Sequence, residues 1–227
     1  MTKVLAFTAS AHRPLMLRHC IYQMQQQSIG LSHGIFLNSD SFHSADDQTN
    51  YAPLISDLIV GKAHPLRLAY GKQGHQHFNH VTAIQQFDIN DFDLFIKIDD
   101  DDIYLKDYVE KLVSDFEERQ WDFSGSASAG IINGANYEPN QHSYLNKVEL
   151  ESRCMHFMPG TYAFSRKAIN FIIETGNNWQ WNNKYEDKLW LDWLLEHPEL
   201  TVNDRKPYGY IYNIHGSNFS THHLLDT

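Results

Sequence analysis

Apolar and polar positions along the chain alternate between two periods. Val4–Thr8 is a short apolar run ending in small polar residues, the pattern of a buried strand. Pro14 suits the first turn of a helix. Leu17, Ile21 and Met24 then recur at near-helical spacing, so a helix is expected through Gln27. The same reading gives strands at Gly34–Leu37, Leu66–Ala69 and Asp93–Ile98, and helices at Tyr51–Val60 and Phe78–Phe87. The clearest amphipathic helix is Leu105–Phe116, with Leu105, Val109, Leu112, Val113 and Phe116 on one face. Beyond it the pattern is less regular. Thr161–Ser165 and Tyr210–Ile214 read as strands, and Lys167–Glu174 and Glu186–Glu196 as helices.

Strands alternating with helices predict an α/β fold, a mostly parallel sheet with helices on both faces. The length of 227 residues fits one such domain, and no repeat, low-complexity tract or linker divides it. Ligands of these sheets bind beyond the carboxyl ends of the strands. Three strands end in polar clusters, Thr8–Arg13, Asn38–Asp40 and Asp99–Asp102, so three candidate ligand loops are expected along one sheet edge.

Composition narrows the function. The formal charge of −10 argues against a nucleic-acid partner held by phosphate neutralisation. Cys20 and Cys154 give neither a disulfide framework nor metal-ligand spacing. With no signal peptide and no apolar run of spanning length, the expectation is a cytoplasmic, non-spanning protein. The net charge still leaves room for peripheral membrane contact. The 14 histidines are scattered, so only position can promote one of them.

The run Asp99-Asp100-Asp101-Asp102 follows directly on the apolar strand Leu94–Ile98. Four adjacent carboxylates repel one another, and a divalent cation relieves the repulsion, because hard cations prefer oxygen ligands. Mg²⁺ or Mn²⁺ typically takes one or two carboxylates and completes its shell with phosphate oxygens. Helix capping is the alternative use for such residues, but position at a strand end favours the ligand role. An EF-hand is rejected, because Ile103 and Tyr104 stand where an oxygen ligand and Gly belong. Alternation along the strand puts Phe95, Lys97 and Asp99 on one face and Leu94, Ile96 and Ile98 on the other. Lys97 is unusual in so apolar a strand; it reads either as a snorkelling side chain or as a diphosphate contact.

With these features in order, the chain resembles the family-two glycosyltransferases of the GT-A fold. The strand, Asp-x-Asp and helix of Ile96–Tyr108 look like that family's metal and diphosphate site. Thr8–Pro14 and the helix ending Gln25-Gln26-Gln27-Ser28 resemble its opening strand, loop and helix. Asn38-Ser39-Asp40 resembles the second strand's end, and Gly74–Ile84, with Asn79, the stretch before the acidic motif. Gly160–Ala168 resembles the acceptor-side strand and helix, and Glu186-Asp187 the acidic pair carrying the catalytic base. Tyr212–Ser220, with His215, resembles a C-terminal His-containing segment. The likeness spans nearly the whole chain and rests on order and spacing. Ala9 and Ala11 depart from the usual aromatic or Asn beside Ser10, and four Asp in a row leave the Asp-x-Asp register open.

The resemblance implies a GT-A, Rossmann-like domain over residues 1–227, with a nucleotide-sugar-binding part (1–104) and an acceptor-binding part (105–227). It implies a Mn²⁺- or Mg²⁺-dependent transferase of nucleotide sugars, UDP-linked in most members, acting on a carbohydrate or glycan acceptor. Asp101, then Asp99, and also His215 are the expected metal ligands. Thr8, Ser10, Arg13, Asp40, Asn79, Asp99 and Asp100 are the expected nucleotide contacts, Asp40 toward uracil or ribose and Arg13 toward a phosphate at a helix N-terminus. Asp187 or Glu186 is the expected base, which implies inversion. Trp179 and Trp181, in an Asn-rich stretch, offer faces for a sugar ring, and Gly160 is a further expected acceptor contact. Two rivals stand. A sugar nucleotidyltransferase shares the metal-on-sheet design, but would want a Gly-rich loop where Thr8–Pro14 has no glycine. A non-catalytic carbohydrate-binding module would use the Trp cluster and has no need of the acidic loop.

Overall fold

The computed structural model describes residues 1–11, 13–38, 64–71, 76–127, 129–133, 143–144, 157–176 and 186–214. The expected helix Tyr51–Val60 lies outside them. Strand β1 (Val4–Ser10) leads into helix α1 (Pro14–Gln25), then β2 (Ser32–Asn38), β3 (Leu66–Gly71), α2 (Gln76–Ile84) and β4 (Leu94–Lys97). After the acidic run come β5 (Ile103–Tyr104), α3 (Tyr108–Arg119), β6 (Phe123–Gly125), β7 (Gly130–Asn133) and β8 (Ser143–Tyr144). The chain continues through β9 (Ala163–Ser165), α4 (Arg166–Gly176), α5 (Glu186–Leu195), β10 (Val202–Asp204) and β11 (Tyr210–Ile214).

Among the described residues the main sheet has seven strands in the order β10-β6-β9-β4-β1-β2-β3. β4, β1, β2 and β3 run parallel, and so do β10 and β6, whereas β9 is antiparallel to both of its neighbours. This is the α/β, Rossmann-like architecture expected, a mostly parallel sheet covered on both faces. Because β9 pairs with β4, residues on either side of position 104 share one sheet.

The alternation expected along β4 is present. Phe95 joins Leu5 and Phe7 in a core shared with Ala83 of α2, Ile169 of α4 and Trp190 of α5. Leu94, Ile96 and Ile98 face the other way, onto Met24 of α1 and Val109 and Leu112 of α3. Element ends shift by a few residues, as hydrophobic pattern alone predicts them poorly. Helix α3 begins at Tyr108, three residues later than expected; Leu105 precedes it and is 46% exposed instead of lying on its apolar face. The buried face carries a carboxylate in its place. Asp115 accepts from Trp121 Nε1 and Asn203 Nδ2, both at 2.9 Å, and from Tyr208 Oη at 3.0 Å.

A second, smaller sheet, β5-β11-β7-β8, was not legible from the sequence beyond β11. Its strands run from two to five residues, too short to show a period. It matters because β11 pairs with β5, immediately after the acidic run.

Candidate active site

β1, β2 and β4 are parallel, so Ser10, Asn38 and Lys97 end on one edge of the sheet, and the acidic run lies there. The run divides by alternation. Asp100 and Asp102 point inward and are buried. Asp99 and Asp101 keep 25% and 13% of their side-chain surface open. Asp100 accepts a hydrogen bond from Ser10 Oγ and pairs with Arg13 Nη2 at 2.6 Å. Asp102 accepts from Tyr210 Oη at 2.7 Å and from the Asn213 backbone N–H at 3.1 Å. Of the outward pair, Asp101 meets Arg13 Nη1, and Asp99 meets Lys97 Nζ at 2.6 Å.

This changes the electrostatic premise. The carboxylates do not wait for a metal to relieve their repulsion, because Arg13 and Lys97 supply cations and Ser10, Tyr210 and Asn213 supply donors. The inner pair is still strained toward neutrality. Burial pushes the Asp100 carboxyl up to about 7, against the pull of Arg13. Burial, with Asp99 and Asp101 adding to it, raises Asp102 well above the usual carboxylate range.

Lys97 joins the acidic loop to the second half of the chain. Its side chain is 1% exposed, and Nζ lies 2.6 Å from Asp99 Oδ1 and 3.3 Å from Asp187 Oδ1. Asp187 stands in the first turn of α5, which the aromatic core anchors through Trp190; the indole N–H donates to His77 Nδ1 of α2 at 3.0 Å. Burial raises the Asp187 carboxyl, and Asp99 adds to the rise while Lys97 opposes it. Of the two readings of Lys97, snorkelling is excluded by its burial, and what it touches are carboxylates.

The other expected residues are distributed as follows. Ser10 and Arg13 serve the acidic loop directly. Thr8 is fully buried, with Oγ1 at 2.9 Å from His33 Nε2, so its hydroxyl is used beneath the edge. Asn79 is buried on α2. Gly160 packs on the acidic loop: its carbonyl accepts from Tyr104 Oη at 3.0 Å, and a Cβ there would stand 2.7 Å from Tyr210 Oη and 2.8 Å from Asp102 Oδ2. We expect Gly160→Ala to cost about 1–3 kcal/mol, as overpacking does, read as a lower urea midpoint. Of Glu186, the structure describes the backbone in α5 alone. Asp40, Trp179, Trp181 and His215 lie outside the described residues.

Sequence reasoning missed the residues that brace the loop. Gln23 of α1 accepts from the Tyr104 N–H at 2.5 Å and donates to the Asp102 carbonyl at 3.4 Å. Tyr104 Oη also accepts from the Asp99 N–H at 2.9 Å. Asn213 Nδ2 donates to the Asp101 carbonyl at 3.0 Å. Asn213 sits in the C-terminal segment singled out above, but Gln23 reaches Asp102 and Tyr104 from 79 and 81 residues away, and Tyr104 reaches Gly160 from 56 residues away, so these contacts carry no local pattern.

No protein-family profile matches the sequence, and no curated protein matches it. Solved structures do match the fold. S. aureus TarS 1-349 in complex with UDP-GlcNAc aligns over 95% of this chain at 11% identity, with a TM-score of 0.62. The same fragment in complex with UDP aligns over 93% at 12% identity, with a TM-score of 0.61. The chain spans 60% of the length of that fragment. The 4-diphosphocytidyl-2C-methyl-D-erythritolsynthase from Anaerococcus prevotii matches over 92% of this chain and 89% of its own, at 13% identity and a TM-score of 0.56. At such identities these likenesses show a shared fold, and the Rossmann-like, GT-A expectation is borne out. Among the described residues no helix is long and apolar enough to cross a membrane.

Proposed function

We propose that the chain is a metal-dependent, inverting glycosyltransferase that moves a sugar from a UDP-sugar to a glycan-type acceptor hydroxyl. The observation that carries this reading is the Asp99–Lys97–Asp187 bridge. It brings a carboxylate of the acidic loop and a carboxylate of α5 to the two sides of one buried ammonium. A transferase needs that juxtaposition: a diphosphate site beside a proton acceptor. The complexes of the similar TarS fragment with UDP-GlcNAc and UDP support the choice of donor.

The residues fit a cation. Asp99 and Asp101 present hard oxygen donors outward while Asp100 and Asp102 are turned in, which supports reading the motif as Asp99-x-Asp101. Among the described residues no group of three or more ligating side chains forms a complete cage. Two carboxylates are the donor set of Mg²⁺ or Mn²⁺ that shares its shell with phosphates. When bound, the metal neutralises charge developing on the departing diphosphate. Asp187 holds the acceptor hydroxyl and takes its proton as the oxygen attacks the anomeric carbon. The bond from that carbon to the diphosphate oxygen breaks, and UDP leaves. A carboxyl raised by burial suits a base that works near neutral pH.

The test is UDP-sugar binding by thermal shift with Mn²⁺ and with chelator. Donor should raise the melting temperature in Mn²⁺ and fail to do so in chelator; Asp101→Ala should lose the difference between the two. Equal stabilisation by UDP with and without chelator, in the wild type, would sink the metal assignment.

A second reading, nucleotidyl transfer, is favoured by the similar synthase, which this chain matches over most of both lengths. The loop after β1, Ala11-His12-Arg13-Pro14, has no glycine to wrap a triphosphate, which argues against it. The product decides: nucleoside diphosphate from transfer, pyrophosphate from nucleotidyl transfer.

A further inference from the structure

The acidic loop carries two counter-cations of different kinds. Lys97 is anchored on the central strand β4, almost wholly buried between two carboxylates. Arg13 lies at the rim. It precedes Pro14 at the start of the 12-residue helix α1, its side chain is 27% exposed, and no side-chain cap occupies that helix N-terminus. Its guanidinium reaches Asp100 with one Nη and Asp101 with the other, and its Nε–H is buried without a hydrogen-bond partner among the described residues.

We propose that Arg13 is a displaceable internal counter-ion. It holds Asp101 while the site is unliganded, yields that carboxylate to a divalent cation, and takes the donor's diphosphate in exchange. This rests on the glycosyltransferase reading and adds to it a residue that couples the two ligands. Three arguments support it. The cation and Arg13 compete for one oxygen ligand, Asp101, which they cannot share at full strength. The guanidinium fork matches a phosphate bidentately as well as it matches a carboxylate, so the exchange keeps its hydrogen bonds. The open N-terminus of α1 beside it favours an anion. Asp100, buried and also held by Ser10, keeps the other Nη and acts as the pivot.

The consequence is reciprocal coupling, since each ligand removes the obstacle to the other. The experiment titrates Mn²⁺ by electron paramagnetic resonance, with and without UDP, in wild type, Arg13→Gln, Arg13→Lys and the exposed control Arg18→Gln. In wild type UDP should tighten Mn²⁺ by about 5–150-fold, the usual range of site–site coupling. In Arg13→Gln, Mn²⁺ alone should bind several-fold tighter, UDP should bind more weakly, and the enhancement should shrink. Arg13→Lys keeps the charge and loses the fork, so Mn²⁺ alone should again tighten. It also serves if the Gln variant fails to fold. Arg18→Gln should match wild type.

Mn²⁺ affinity in Arg13→Gln or Arg13→Lys equal to or weaker than wild type would overturn the proposal. So would tightening by Arg18→Gln as large as by Arg13→Gln, which would make the effect one of net charge. Wild type that binds neither Mn²⁺ nor UDP would instead overturn the glycosyltransferase reading on which the proposal stands.

Discussion

Asp187→Asn should lower turnover by about 10²–10⁴-fold, the usual worth of general-base catalysis, while donor affinity changes little. The substitution keeps the side chain's size and leaves an oxygen that Lys97 can still donate to, so α5 and the Lys97 bridge should survive it. What it removes is basicity. In the proposed reading the donor is held by the other loops, at Arg13 and the acidic run, so equilibrium binding of UDP would report whether the site is intact. Burial raises the wild-type carboxyl, and a base must be deprotonated to act. The rate should therefore fall as pH drops through that raised value, and the acid limb should vanish from the residual rate of the variant. Glu186→Gln is the control. If Glu186 only favours the helix dipole from the first turn, its loss should cost a little stability and little rate. Near wild-type transfer from both variants would leave the inverting mechanism without a base.

Much of this was legible in the sequence, for reasons that particular residues make clear. The core strand of the sheet showed itself because Leu94–Ile98 is apolar but for Lys97, and its neighbours because they alternate with helices. The acidic loop was legible because four carboxylates at a strand end are costly enough to need a cause. The register within the run was not. Which Asp turns inward depends on Ser10, Arg13, Tyr210 and Asn213, whose separations from the run reach 111 residues. The helix following the run was placed too early for a related reason. Leu105 has the period of an apolar face, but Ile103–Tyr104 is drawn into a two-residue strand by pairing with β11, and the chain turns into α3 only at Tyr108. The small second sheet is set by such long-range pairing throughout. Lys97 stands out in so apolar a strand without showing its purpose, because its partner Asp187 lies ninety residues on and helix pattern alone does not say which sheet face α5 covers.

Lys97 supports the last and largest stability effect. Lys97→Met replaces the ammonium by an apolar side chain of similar length, so packing on β4 is preserved and the change is electrostatic. Asp99 and Asp187 then face one another across the gap with no cation between them. Breaking a buried ion pair by removing one partner costs about 3–5 kcal/mol. Both carboxylates keep about a quarter of their surface open, at 25% and 26%, so water and screening place the expectation near the lower end, about 3 kcal/mol. For a chain of this size that is a fall in melting temperature of about 6–12 °C. The pH dependence gives the sign. Burial already raises the Asp187 carboxyl against the pull of Lys97, so without Lys97 it should titrate higher still in the folded protein than in the unfolded chain. Its penalty is then present at neutral pH and disappears as pH falls below the unfolded value. The difference between wild type and variant in urea unfolding should accordingly close on acidification. Adding Asp187→Asn to Lys97→Met should recover part of the loss, because one of the two stranded charges is gone. A Lys97→Met protein as stable as wild type at neutral pH would show that the bridge contributes nothing to the fold. If the double variant were no more stable than Lys97→Met, the stranded charges would not be the cause.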